Sequence, residues 1–313
     1  MQLKALRYFL MVASSGSFLA AARHFRVPAS SVSRFIAALE KDLDQQLLYR
    51  STRAVRLTEE GERFYQQVRE ALELLDHAAE QVGRKDIGLR GLLRVNAPEA
   101  LGKLHIARLI SELQDMHPGL TVELTLTDTY VDLVQEGVDI AVRVAPLIDS
   151  GLVGHVVGAN RHIVAASPSY LAECGTPETP ADLLEHRCLI YKGQLGAQKW
   201  YFGNPERGKA EAFSVSGPLR SNSADVLLGA AMAGRGIVLF PTWIFGPDDF
   251  SSGRLVPLLT SWEPSVSVDP AFVQLLSPQS KLRSRKVREV STFLLERIGT
   301  PPYWDAILPA AAS

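Results

Sequence analysis

The most constraining stretch of this 313-residue chain is GSFLAAARHFRVPASSVSRFIAALEKDL, residues 16–43, where two helical periods are separated by about three residues. Behind Ser17, a good N-cap, Phe18, Ala21, Ala22 and Phe25 recur at i, i+3, i+4 and i+7. Val32, Phe35, Ile36, Leu39 and Leu43 form a second stripe, and Leu6, Phe9, Leu10 and Ala13 form one before both. Alanines at two stripe positions let a neighbouring backbone approach closely. Helices joined only by Arg26–Pro28 make the short connection of a helix-turn-helix. The outward face of the third helix shows Ser30, Ser31, Ser33, Arg34, Ala37, Ala38 and Lys41. A slim face of short hydrogen-bonding groups fits the B-DNA major groove. There the serines would reach phosphates or base edges, Arg34 a phosphate or guanine O6 and N7, and Ala29 a thymine methyl. A helical hairpin whose serines merely cap beside solvent accounts for the same letters.

The next residues favour the first reading. LLYRSTRAVRLT, Leu47–Thr58, reads as two short strands around a turn near Ser51–Thr52, with Arg50, Arg53 and Arg56 at intervals of three. A β-hairpin tipped with arginine after a helix-turn-helix is the wing of a winged-helix domain, suited to the DNA backbone or a narrow minor groove. Thr58 then caps a helix that opens with Glu59 and Glu60, where a positive helix end favours acids. Along it Phe64, Val68, Ala71, Leu75, Ala78 and Val82 form a short heptad seam expected to pair with a second copy. Two heads on one paired helix would read two half-sites of a palindrome.

Charge is split along the chain. Residues 1–56 hold nine Lys or Arg and three acids, net +6, so a chain of net −1 leaves −7 on the remainder. A basic head on an acidic body points to a polyanionic partner for the head alone. No apolar run approaches the roughly 18 residues of a membrane span, and the N-terminal segment reads as an amphipathic helix rather than a signal peptide. Cys174 and Cys188 make no disulfide framework and are expected to be reduced in a cytoplasmic protein; neither they nor the histidines have metal-ligand spacing, and neither metal nor cofactor is expected.

The remainder alternates strand and helix. Leu92–Ala97, Thr121–Leu126 and Asp139–Val144 read as strands. Between them lie a helix carrying Leu101, Leu104, Ala107, Arg108 and Leu113 and a short helix over Val131–Glu136. The pattern repeats from His162–Ala166 to Ile237–Leu239, and Ala271–Ser277 with a helix over Ser284–Ile298 closes it. Alternation of this kind indicates parallel sheets. Return of the last strand and helix to the first lobe would give two α/β lobes joined by a double crossover, with a ligand cleft between them. Its candidate residues are Pro98, Glu99 and Ala100 at one helix start and Asn222 and Ser223 at another, where free N–H groups suit an anion. Asp128, Thr129 and Arg143 at strand ends complete the set. Capping alone explains the hydroxyls equally well, and a salt bridge to Asp128 explains Arg143. Glu99 would repel a simple dianion unless the ligand also carried an amine. Trp200 and Phe240 read as core.

The head and the helix after it resemble those of LysR-type transcriptional regulators. GLLRVNAP, HPGLTVELTLTD, DLVQEGVDIAVRV, ASPSYLAECGTPETPADLLEHRCL and MAGRGIVLFP resemble, in order, segments of that family's effector domain. Where many members begin the recognition helix with Ser-Gln, this chain has Pro28 and Ala29, which leaves readout to Ser30, Ser31, Ser33, Arg34 or DNA shape. The resemblance implies an N-terminal α+β winged helix-turn-helix over 1–58 and a dimerising linker helix over 59–88. It further implies a two-lobed α/β effector domain like periplasmic binding proteins over 89–300. Lobe I spans about 89–161 and 269–300, lobe II about 162–268, and residues 301–313, without pattern, are expected to fray. It also implies a homo-oligomer, a tetramer through the effector domains, binding double-stranded DNA and a small-molecule effector. An enzyme is disfavoured, since G-x-S-x-G and H-E-x-x-H are absent and GAAMAGRG has Arg235 and Gly236 where a phosphate loop needs Lys and Ser or Thr. A solute-binding protein would not need the basic head.

Overall fold

The computed structural model describes residues 2–50, 55–82, 88–147, 152–193, 196–203 and 210–307, and the chain divides into two compact units, 1–87 and 88–313. The first holds helices α1 (Leu3–Ser15), α2 (Phe18–Phe25) and α3 (Ala29–Leu43), the antiparallel strands β1 (Leu48–Arg50) and β2 (Val55–Leu57), and helix α4 (Glu59–Val82). Gly16 at φ 63° ends α1, and Ser17 then caps α2 by accepting from Ala20 N at 3.2 Å. Arg26 and Asp44, both in the left-handed region, close α2 and α3. Ala21 and Ala22 are buried where α2 meets the core, as the alanine stripe predicts. In α1 the buried residues are Ala5, Leu6, Tyr8, Phe9 and Val12, while Leu10 and Ala13 are only half-buried. The inward stripe therefore sits slightly to one side of the expected one, drawn there by Tyr8 and Val12.

Glu40, one of the head's few acids, accepts from Leu47 N at 3.0 Å and Leu48 N at 3.1 Å and so ties α3 to β1. Thr58 Oγ1 accepts from Gly61 N at 2.9 Å, the expected cap of α4, and donates to Gln46 O. A Cβ on Gly61 would lie 2.0 Å from Leu47 O, so α4 starts where only glycine lets the strand backbone pass. Of the expected heptad seam, Phe64 and Val68 face the head's own core while Ala71 and Leu75 are exposed, and Ala78 and Val82 fall outside the residues whose side chains are described. Val68 and Leu72 are buried in the head's own core with Phe64 and Tyr65 beside them, whereas Leu74 and Leu75 are 65% and 53% exposed. Helix α4, Glu59–Val82, groups with the N-terminal unit.

The second unit contains two lobes. In lobe I, β3 (Gly91–Ala97), β4 (Leu120–Leu126), β5 (Ile140–Ala145), β6 (Leu152–Ala159) and a late strand form one sheet. Lobe II follows, with β7 (His162–Ala166), β8 (Ile190–Gly193), β9 (Gly196–Ala197), β10 (Trp200–Gly203), β11 (Glu211–Phe213) and β12 (Arg220–Ser221). It ends with β13 (Val238–Pro241), β14 (Val256–Leu258) and β15 (Glu263–Ser265); β16 (Phe272–Pro278) returns to lobe I between β5 and β6. The double crossover is therefore present. Only β4-β3-β5 is parallel in the five-stranded sheet; β16 runs antiparallel to both neighbours, as do β13 and β14 to β7. Strand runs alone carry no direction, which is why the parallel expectation holds in part.

The lobes carry α5 (Glu99–Leu101), α6 (Ala107–Met116), α7 (Pro168–Cys174), α8 (Ala224–Met232), α9 (Asp248–Ser251) and α10 (Arg285–Ile298). Between α5 and α6 the backbone takes a π-turn, Gly102–Ile106. The wider turn shifts the phase of everything after it. Ile106, Leu109, Ile110 and Leu113 are buried and Leu104 is 41% exposed, displacing the expected stripe. The segment 131–138 is a set of turns rather than a helix, packed through Leu133 and Val138 on Ala141. Tyr303–Ile307, read from sequence as fraying tail, is a 3-10 turn with Trp304 and Asp305 buried. Trp200 and Phe240 lie in the core, as expected.

Candidate nucleic-acid interface and effector site

Helix α3 separates its faces cleanly. Val32, Ile36 and Leu39 are buried; Ser30, Arg34, Ala37, Ala38 and Lys41 are exposed, with Ser31 and Ser33 half-buried. Pro28 occupies the cap position without a side-chain bond, so the serines are not spent on capping. Ala29 is half-buried against the head core, which limits it to glancing apolar contact. Arg56 is exposed on β2 opposite Tyr49, itself exposed. Arg50 lies at the end of β1, and Arg53 falls outside the described residues.

The second candidate site lies at the carboxyl ends of β3, β4 and β5. The expected free N–H of the helix start is already taken, because Asp128 Oδ1 accepts from Glu99 N at 3.0 Å. The anion that suits a helix N-terminus is here the chain's own carboxylate. Asp128 Oδ2 also accepts from Tyr191 Oη of lobe II at 3.4 Å, and Lys103 of lobe I pairs with Asp225 of lobe II at 2.5 Å. Hydrogen bonding and attraction from Asp225 hold the exposed Lys103 ammonium above its ordinary value, with Glu99 adding to it. Exposed Glu99 thus has a cation nearby. Pro98 and Ala100 are half-buried, Thr129 and Asn222 exposed. Ser223, at the cap position of α8, makes no side-chain capping bond, and its N–H donates to Ser221 Oγ at 3.0 Å.

Arg143 stands apart. It is 8% exposed, donates from Nη1 to Asn96 Oδ1 at 2.5 Å and to Val142 O at 2.9 Å, and its buried Nη2 has no partner among the described residues. The salt bridge to Asp128 that sequence left open is not made, since Asp128 faces Glu99 and Tyr191 instead. Burial pushes the guanidinium below its ordinary value. On the same sheet face lie Asn96 and Gln274, both buried, the latter donating to Ala145 O at 2.9 Å. Sequence reading missed Asn96, Lys103, Tyr191 and Asp225; no spacing marks them, because Asn96 meets Arg143 only through the pairing of β3 with β5, and the other three meet their partners only across the two lobes.

Comparison with known proteins matches both units. Residues 3–62 match the family described as bacterial regulatory helix-turn-helix protein, lysR family, and residues 87–299 match the LysR substrate binding domain. The transcriptional activator TtdR of Escherichia coli strain K12 is 32% identical over 299 residues, 95% of each chain. An uncharacterized regulator of the same strain, YhjC, is 33% identical over 286 residues, 91% of this chain and 94% of its own. Among solved structures, full-length AphB, a virulence activator of Vibrio cholerae, superposes with a TM-score of 0.58 at 28% identity, covering 95% of this chain and 99% of its own. CrgA of Neisseria meningitidis gives 0.56 at 28% identity over 94% and 99%. With its head, its two-lobed body and these relatives, the chain belongs to the LysR family of transcriptional regulators, carrying a helix-turn-helix DNA-binding domain and an effector-binding domain.

Proposed function

We propose that this regulator, working in the cytoplasm, reads an interrupted palindrome as a dimer paired through α4, further assembled into a tetramer through its effector domains. A small organic anion held between the lobes re-spaces the heads. The exposed, hydroxyl-rich face of α3 on a net +6 head carries the DNA half of the reading. Ser30, Ser31, Ser33 and Arg34 face base edges, Ala29 contributes apolar contact, and Arg50, Arg53 and Arg56 of the wing hold phosphates. Gel-shift titration with salt tests it. Arg53→Ala is expected to weaken binding to every sequence and to flatten the salt slope by about one. Arg34→Ala is expected to cost about 1–3 kcal/mol on the operator only. Equal loss on operator and random DNA removes the base-reading role.

The anionic class of the effector is supported by Arg143, a buried guanidinium with one amino group unpartnered and no carboxylate against it among the described residues. A buried charge without its counter-charge is costly, and a bound carboxylate would supply one. Pro98, Glu99, Ala100, Asp128, Thr129, Asn222 and Ser223 would line the remainder. For an effector to switch the molecule it must bind two arrangements unequally. Identical operator footprints with and without a bound effector would end the switching reading.

A further inference from the structure

The π-turn that displaces the stripe of α6 carries His105, which is buried and has both ring nitrogens engaged. Nε2 lies 2.7 Å from Trp243 O, and Nδ1 lies 2.7 Å from Tyr303 Oη. A carbonyl can only accept, so Nε2 carries the hydrogen and Nδ1 accepts from the tyrosine hydroxyl. These partners come from three places in the chain: the start of a lobe I helix, the turn after β13 in lobe II, and the C-terminal segment. The same segment makes a second tie. Thr242, fully buried, donates through Oγ1 to Asp305 Oδ1 at 2.6 Å. Thr242 N in turn donates to Arg161 O, and Trp243 Nε1 to Asn160 Oδ1 at 2.8 Å. Asn160 and Arg161 are the two residues between β6 and β7, the crossover from lobe I to lobe II.

The ties therefore converge on the β6–β7 connection, one of the two crossovers between the lobes. We propose that Tyr303–Ile307 is a clasp across this crossover, with His105 as its positioning residue. It fixes the angle between the lobes from the side where the chain crosses. The Lys103–Asp225 pair, two residues earlier in the same π-turn, is exposed and also joins the lobes. Exposed pairs of this kind contribute little. The clasp's bonds instead engage buried His105, Thr242 and Asp305, although Tyr303 reaches the surface and Trp304 Nε1 is buried without a partner among the described residues. Buried hydrogen bonds of this kind rigidify. The clasp is accordingly the stationary contact and the Lys103–Asp225 pair the one that opens. The inference concerns lobe mechanics and does not depend on what the lobes bind or on which DNA is read.

The test uses the full chain without effector or DNA. Spin labels are placed at Asp115→Cys in lobe I and Ala172→Cys in lobe II, both exposed, after exposed Cys174 is replaced by serine. Labelled chain is diluted into unlabelled chain, and the distance distribution is read by electron–electron double resonance. Tyr303→Phe and Thr242→Val each delete one hydroxyl and keep nearly the same volume. Each is expected to widen the distribution at least twofold, and the pair together more than either. Lys103→Ala, which leaves the clasp intact, is expected to shift the mean with less widening. Distributions of unchanged width in both hydroxyl variants overturn the proposal, whatever happens to their melting temperatures, because loss of stability alone would mark the contacts as mere packing.

Discussion

Two buried cationic or titratable side chains show how far single residues decide the chemistry of this molecule. Arg143 keeps a charge in the interior for which the protein provides only amide and carbonyl acceptors. Such a residue is weak support for stability and strong support for a ligand. Arg143→Met is therefore expected to leave stability within about 1 kcal/mol of the parent, or raise it, while abolishing the effector response. Denaturant melts and effector-dependent footprints together check this; a loss of more than about 3 kcal/mol would mark Arg143 as structural. His162 is the opposite case. It begins β7 with Nε2 buried and unpartnered, and burial pushes its imidazole down from 6.5 to about 4. Between those two pH values the unfolded chain binds a proton that the folded chain refuses, so stability falls as the solution is acidified through that window. Up to about 3 kcal/mol is at stake. His162→Phe is expected to lose about 2 kcal/mol less than the parent when chemical melts at about pH 7 and about pH 4.5 are compared.

At the scale of elements, the head was legible because its periodic stripes are short, strongly patterned and bounded by Ser17, Gly16 and Pro28. Its main error, the stripe of α1, arose because Tyr8 was not counted as core although its ring is fully buried. The body was legible in its strands and not in what joins them. A π-turn leaves no letter pattern, since it adds one residue per turn without a glycine or proline signal specific to it. The C-terminal turn was invisible for a related reason: Tyr303, Trp304 and Asp305 are held by His105 and Thr242, nearly two hundred and about sixty residues away. Asp128 was read as a strand-end candidate with an arginine as its partner, and only the folded backbone shows that it accepts from Glu99 N instead. One glycine was equally silent. Gly61→Ala drives a Cβ into Leu47 O, and because both are backbone the clash has no easy relief. It is expected to destabilise the head by about 3 kcal/mol, measured by thermal melting of the full chain, and to reduce DNA binding only in proportion to the unfolded fraction.

For the molecule as a whole, the decisive question is whether the proposed dimer pairs through α4. The proximal half of α4 is committed to the head, so only its distal half is left for a second copy. Leu74 and Leu75 are exposed there. Leu75→Glu is expected to shift the chain toward lower oligomers in sedimentation while changing the stability of the head by less than about 0.5 kcal/mol. An unchanged association state would place the pairing surface elsewhere. No helix among the described residues is long and apolar enough to cross a membrane. The core that α4 shares with α1 has one more outcome. Phe64, Val68 and Leu72 seat α4 in the head's own core, chiefly against α1, where Phe64 and Tyr65 meet the ring of Phe9. In a dimer paired through α4, as proposed, a rod seated on α1 would carry its twist to the head as a whole, α3 included, rather than to α3 alone.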